Sequence, residues 1–165
     1  MTTTASHSTA HASAAGEHNA AACRASRHTR AQHLITADES SLVELETLLA
    51  TLPLCSTGRV FVEIPDASWQ ADLVVPARMV LTWLDRSART GDPGSGRACA
   101  PGQALSRAVT AWADEMLCGD DDHTRILLLG GYLGTADILD HLVTHNGVDA
   151  DTVHTPAQYG LNATR

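Results

Sequence analysis

The chain is short of aromatic residues, of basic residues and of long apolar runs, and each shortage excludes a class of function. One Phe, three Trp and two Tyr in 165 residues leave Leu, Val, Ile and Ala to build the core. Eleven basic against 19 acidic residues give a net charge of −8. That is the reverse of the clustered basic face by which proteins hold nucleic acid, and it disfavours attachment to anionic membranes. No apolar run approaches the ~20 residues of a transmembrane helix. The first thirty residues lack the apolar central stretch of a secretory signal, so the expected location is cytoplasmic, with neither nucleic acid nor membrane as partner. Cys23, Cys55, Cys99 and Cys118 are scattered without a Cys-x-x-Cys pair and read as free thiols. There is no G-x-S-x-G elbow, no Walker loop, no H-E-x-x-H and no G-x-G-x-x-G after the first strand.

What is present suits one domain, since 165 residues bury one proper core but not two. Residues 1–30 are Ala, Ser, Thr and His with almost no large apolar side chain. Such a stretch cannot offset its ordering entropy, and a disordered tail is expected there. Its histidines, His7, His11, His18 and His28, have no carboxylate or thiolate recurring at a ligand spacing, so the tail reads as solvated rather than metal-binding.

From residue 31 onward apolar runs alternate with helical stripes. Gln32–Ile35 reads as a strand, and Asp38 and Ser40 sit where a helix N-cap belongs. A stripe of Leu42, Val43, Leu45, Leu48, Leu49 and Leu52 follows. Arg59–Ile64, Met79–Leu84 and Arg125–Leu129 are further strands, each almost continuously apolar. Helices are expected around Leu105–Met116 and Leu133–Val143, and Thr152–Gln158 fits an edge strand restricted by Pro156. Apolar strands alternating with helices imply parallel pairing with helices on both faces. The expected fold is therefore a three-layer, doubly wound α/β domain over residues 31–165, with a mainly parallel sheet of about five strands.

In such a sheet, ligands bind beyond the carboxyl ends of the strands. Three loops qualify. In Thr36–Ser41, backbone amides and hydroxyls suit a phosphate while Asp38 and Glu39 suit a ribose hydroxyl; the alternative is a plain helix cap. At Trp83–Arg86, Arg86 matches phosphate geometry or is merely solvated. In Gly130–Gly134, the paired glycines either admit a ligand or only pack strand against helix. His141 and His145, spaced i, i+4 near Asp137 and Asp140, lack a third placed ligand, so no metal site is expected. Cys99 has no neighbouring His or helix start to activate it as a nucleophile.

At these loops the chain resembles the C-terminal domain of siderophore-interacting proteins, the flavin-dependent ferric-siderophore reductases. The family's Gly-Asp-Glu-Thr-Ala-Leu-Pro pattern is met by Ala37-Asp38-Glu39-Ser40-Ser41-Leu42-Val43. Its Phe-Ile-Glu-Val-Pro-Asp is met by Phe61-Val62-Glu63-Ile64-Pro65-Asp66, and its Trp-Leu-x-Arg by Trp83, Leu84 and Arg86. His141-Leu142-Val143 and Gly147-Val148-Asp149 match later family stretches, so the resemblance covers about Leu34 to Tyr159. It implies a ferredoxin-reductase-like NADP-binding domain that docks NADPH against a flavin and relays electrons to a ferric chelate.

Departures qualify that implication. The family's flavin barrel and its Arg-x-Tyr-Ser/Thr motif are missing, so FAD is expected on a separate protein and no reductase activity is expected from this chain alone. Ala-Gly-Glu is replaced by Leu129-Gly130-Gly131, Ala136 stands at an Arg position, and Gly-Tyr-Trp-Arg is reduced to Tyr159 within Ala157–Gly160. The expected nucleotide-binding residues are Asp38, Glu39, Ser40, Ser41, Arg86, Gly130, Gly131 and Tyr159, with NADPH held weakly and no catalytic residue in this chain. The alternative is an interaction module that has lost its nucleotide.

Overall fold

A computed structural model describes residues 31–117 and 123–161. The expected tail, Cys23 and Cys118 lie outside the described residues. The elements are β1 (Gln32–Asp38), α1 (Leu42–Thr51), β2 (Thr57–Ile64), β3 (Arg78–Asp85), α2 (Gln103–Met116), β4 (Arg125–Leu128), α3 (Tyr132–Thr144) and β5 (Val153–His154). All strands are parallel, in the spatial order β3-β2-β1-β4-β5. The chain winds outward from β1 to β3, then crosses back to β4 and β5. The winding therefore reverses between β1 and β4, and this makes the sheet doubly wound, as expected from the sequence.

Two apolar clusters cover the two faces. On one, Ile35, Val60, Val62 and Ile64 of the strands meet Leu45 and Leu49 of α1. On the other, Leu34, Phe61, Ile126 and Leu128 meet Leu105 and Val109 of α2 and Ile138 and Leu142 of α3. Each strand thus sends alternate side chains into both cores, which is why β2 and β4 read as continuous apolar runs. The stripes are narrower than their apolar residues suggest: Val43 on α1 and Leu133 on α3 face solvent.

Strand ends differ from the sequence expectation: β5 is Val153–His154 rather than Thr152–Gln158, with a 3₁₀ turn at Ala157–Tyr159. β1 runs three residues past Ile35, because Thr36, Ala37 and Asp38 stay paired to Phe61, Val62 and Glu63 of β2. That extension carries Asp38 to the carboxyl edge of the sheet. The β2–β3 crossover, in turn, holds no α-helix. Asp66 accepts a hydrogen bond from the Ser68 N–H at 2.9 Å and starts one short 3₁₀ turn, Ala67–Trp69. An extended segment then lays Leu73 and Val75 onto the α1-side core.

The N-termini of α2 and α3 lie side by side. Gly102, at φ +83°, precedes α2, and a Cβ there would stand 2.9 Å from the Gly134 nitrogen of α3. Only glycine permits this approach with that backbone.

Candidate functional site

The crevice between the carboxyl ends of β1 and β4 is where a doubly wound sheet places its ligand. Asp38, at the end of β1, dominates it. Its Oδ1 accepts hydrogen bonds from the Ser40 N–H at 3.0 Å and the Ser40 hydroxyl at 2.6 Å. Its Oδ2 accepts the Gly131 N–H at 2.6 Å, across 93 residues of chain. Gly131 is the N-cap of α3. The strand therefore delivers its own carboxylate to the partial positive charge of that helix N-terminus.

Asp38 and Ser40 do not cap α1 as the sequence suggested. Ser41 is the N-cap residue, and its Oγ accepts the Asp38 N–H at 3.0 Å rather than bonding into the helix. The acid near the start of α1 is thus turned toward α3. Gly130 lies just beyond β4, where a Cβ would meet Leu105 at 3.1 Å, and its carbonyl accepts the buried Thr135 hydroxyl at 2.9 Å.

A second carboxylate repeats the pattern one helix away. Glu63, near the end of β2, is fully buried. Its Oε1 accepts the Gly102 N–H at 2.6 Å and its Oε2 the Leu105 N–H at 2.8 Å, at the start of α2. Arg86, just past β3, donates to Glu63 Oε1 at 3.0 Å and forks onto Glu39 at 2.7 and 3.0 Å. The Glu39 hydrogen bonds, followed by those to Glu63, hold the guanidinium charged more firmly than usual. Arg86 thereby joins the loops after β1, β2 and β3, and both of its carboxylate partners belong to this chain.

Above this polar floor stand two tyrosines. Tyr132, the first residue of α3, is half exposed and meets Tyr159 edge to face with ring centroids 5.5 Å apart. Leu133 beside it is 69% exposed. Arg89 and Arg97, exposed on the β3–α2 loop, have no ion-pair partner among the described residues.

For a nicotinamide nucleotide, the glycine floor and the tyrosine pair would offer room for a planar ring and a ribose. A pyrophosphate would have to displace Asp38 from the Gly131 N–H and would find Arg86 already paired to Glu39 and Glu63. The residues that would hold the group are Gly130, Gly131, Tyr132 and Tyr159, with Asp38 toward ribose hydroxyls.

The expected residues thus fall into three groups. Asp38, Ser40 and Ser41 share one hydrogen-bonded turn, with Gly131 donating to Asp38 from the start of α3 and Gly130 next to it. Glu39 and Arg86 form an ion pair. Tyr159 joins Tyr132, a residue the linear chain offers no reason to choose. Glu63 and Gly102 also escape sequence reading, although a lone carboxylate inside Val-Phe-Val-Glu-Ile is a signal in itself.

Elsewhere, His141 Nε2 lies 2.7 Å from Oδ1 of Asp114 on α2, and its ring stacks on His145 at 4.4 Å. The histidine pair thus ties α3 to α2 through Asp114, rather than acting with Asp137 or Asp140. No cluster of three or more metal-ligating side chains occurs among the described residues. Cys99 is buried, and Arg107, from α2, donates to its sulfur at 3.2 Å. That neighbour is eight residues away and invisible in the local sequence. No helix among the described residues is long and apolar enough to cross a membrane.

Comparisons with known proteins agree with this architecture. The model of the siderophore-interacting protein family matches residues 30–157. The siderophore-interacting protein SipS from Aeromonas hydrophila superimposes with a TM-score of 0.56 at 18% identity, over 77% of this chain and 50% of that one. A siderophore utilization protein from T. fusca gives 0.53 at 20% identity, over 76% and 43%. At these identities the likeness is one of fold. The chain spans about half the length of the solved structures it matches.

Proposed function

Given that the chain belongs to the siderophore-interacting protein family, we propose that it is the nucleotide-side component of a cytoplasmic, flavin-dependent ferric-siderophore reductase system. It holds NADPH weakly at the β1–β4 switch point and presents it to a flavin carried by a separate protein. The supporting observation is the crevice itself: a Gly130–Gly131 floor at the reversal of the winding, flanked by Tyr132 and Tyr159. The bound nucleotide would supply a hydride; this chain supplies orientation and an apolar wall. Binding is weak because a pyrophosphate must displace or tolerate the Asp38 carboxylate on the Gly131 N–H.

Calorimetric titration of the purified, colourless protein with NADPH tests this. A dissociation constant of about 1 mM is expected, equivalent to about 4 kcal/mol. Addition of the chain should also stimulate a flavoprotein partner's ferric-siderophore reduction. A yellow protein, or no heat at saturating NADPH from either the wild type or Asp38→Asn, would sink the proposal.

A second reading rests on a specific observation: both helix N-termini at this edge, and Arg86 as well, already hold charged groups of the chain itself. In that reading the domain is a non-catalytic interaction module. It requires NADPH to be refused even after Asp38→Asn, so the same titration separates the two.

A further inference from the structure

A cavity of about 650 Å³ opens at the amino end of the sheet, opposite the switch point. Its volume falls in the range of small-molecule pockets. The strand register assembles its polar groups. His33 of β1 pairs with Arg125 of β4, and Leu127 of β4 pairs with His154 of β5. Ladder partners and residues two apart share a face, so these four residues stand together on the side of α1. α1 covers β1 and β2 but leaves β4 and β5 open on this face, and its last turn, with Leu52 and Pro53, forms one wall.

The lining is cationic in an acidic protein. Arg125 and three histidines (His33, His123, His154) contribute to it, and no Asp or Glu does among the described residues. Arg125 is exposed and has no ion-pair partner among the described residues. The carboxyl end of α1 points here and contributes about half a negative charge. The full charge of Arg125 outweighs that even with every histidine neutral. A second, independent feature is His33: it is 2% exposed, and its Nδ1 has no hydrogen-bond partner. That ring sits at the floor of the cavity, buried and beside the backbone of Ala31 and Thr57.

We propose that this cavity binds a small organic anion, an aryl or short acyl carboxylate. Its carboxylate lies on Arg125, where a guanidinium accommodates it in two parallel hydrogen bonds. Its apolar body lies against Leu48, Leu52 and Leu127. The site is separate from the nucleotide crevice and does not depend on the reading of that crevice.

The test is a titration of the full chain followed by amide NMR, using benzoate, its uncharged counterpart benzyl alcohol, and inorganic phosphate. Benzoate should shift the His33, Arg125 and His154 signals saturably, with a dissociation constant at or below about 1 mM. Benzyl alcohol and phosphate should bind at least about tenfold more weakly, one lacking the charge and the other the apolar body. Arg125→Gln, an exposed change at the start of a strand, should weaken benzoate about tenfold. If that variant does not fold, His154→Gln should weaken it by about threefold. Absence of saturable shifts, equal binding of benzyl alcohol or of phosphate, or benzoate affinity unchanged in the variant each overturns the proposal.

Discussion

The two ends of this one sheet treat charge in opposite ways. At the carboxyl end, where helix N-termini favour anions, the chain supplies the anions itself: Asp38 to α3 and Glu63 to α2, with Arg86 neutralised between Glu63 and Glu39. At the amino end, where helix C-termini favour cations, Arg125 has no ion-pair partner among the described residues. The fold's dipoles alone would place an anionic ligand at the first end. Among the described residues, free positive charge includes Arg125 at the second end and Arg89 and Arg97 on the loop after β3 at the first. Fold geometry thus identifies where a ligand can sit, while local pairing decides what charge that ligand carries.

The strongest way to break this comparison is Glu63→Gln. If the carboxyl end is held together by internal anions, the variant loses the negative charge and one of the two accepting oxygens, and turns an NH2 donor toward Arg86 or toward an α2 amide. Replacing a fully buried, charge-assisted acceptor should cost about 3 kcal/mol, read as a lower urea midpoint. A loss below about 1 kcal/mol would show the carboxylate to be one polar group among many. Next, Arg86→Gln leaves Glu63 buried on backbone amides alone and Glu39 unpaired. About 2 kcal/mol is expected, because Arg86 is only 13% exposed and its pairs are poorly screened.

Asp38→Asn sharpens the comparison on the ligand side. The amide oxygen still accepts the Gly131 N–H while the negative charge is gone, so NADPH affinity should rise about fivefold, or about 1 kcal/mol. Calorimetry decides it, and unchanged affinity would mean that the phosphates never approach α3.

The smallest effect concerns His33. Burial, and then the nearby Arg125 charge, push its pKa below the ordinary 6.5. The unfolded chain therefore takes up the proton first. Stability is unaffected above the ordinary histidine range and falls as pH drops below about 6.5, until the folded form also protonates. Urea midpoints at about pH 5 and pH 7.5 should differ less in His33→Gln than in the wild type. An equal difference would place the titration elsewhere.

The framework was legible because the central strands β1 and β2 are buried on both faces and each helix on one, and those burial patterns are written locally. Val60, Val62 and Ile64 alternate with Phe61 along β2, and Leu45 and Leu49 are one helical turn apart. The strand ends were less legible. Thr36-Ala37-Asp38 has the local chemistry of a turn, and only pairing with Phe61–Glu63 keeps it extended. The site was legible as a set of loops and not as a set of bonds. Arg86 read as a phosphate partner or a solvated cation, and not as an ion pair, because Glu39 lies 47 residues away. Glu63 looked like one polar residue in a strand because its amide partners lie 39 and 42 residues on.

The sequence by itself determined the class of the protein: a parallel α/β domain of the siderophore-interacting family. Periodicity, turn residues and ordered motifs are local properties, and they survive in one dimension. Only the tertiary structure decided which of the charged residues remain available to a ligand. Pairing joins groups brought together by the crossovers, at distances along the chain over which sequence spacing carries no information. In this molecule that pairing ties Asp38, Glu63 and Arg86 into the framework of the expected edge, and among the described residues it leaves Arg89, Arg97 and Arg125 outside ion pairs.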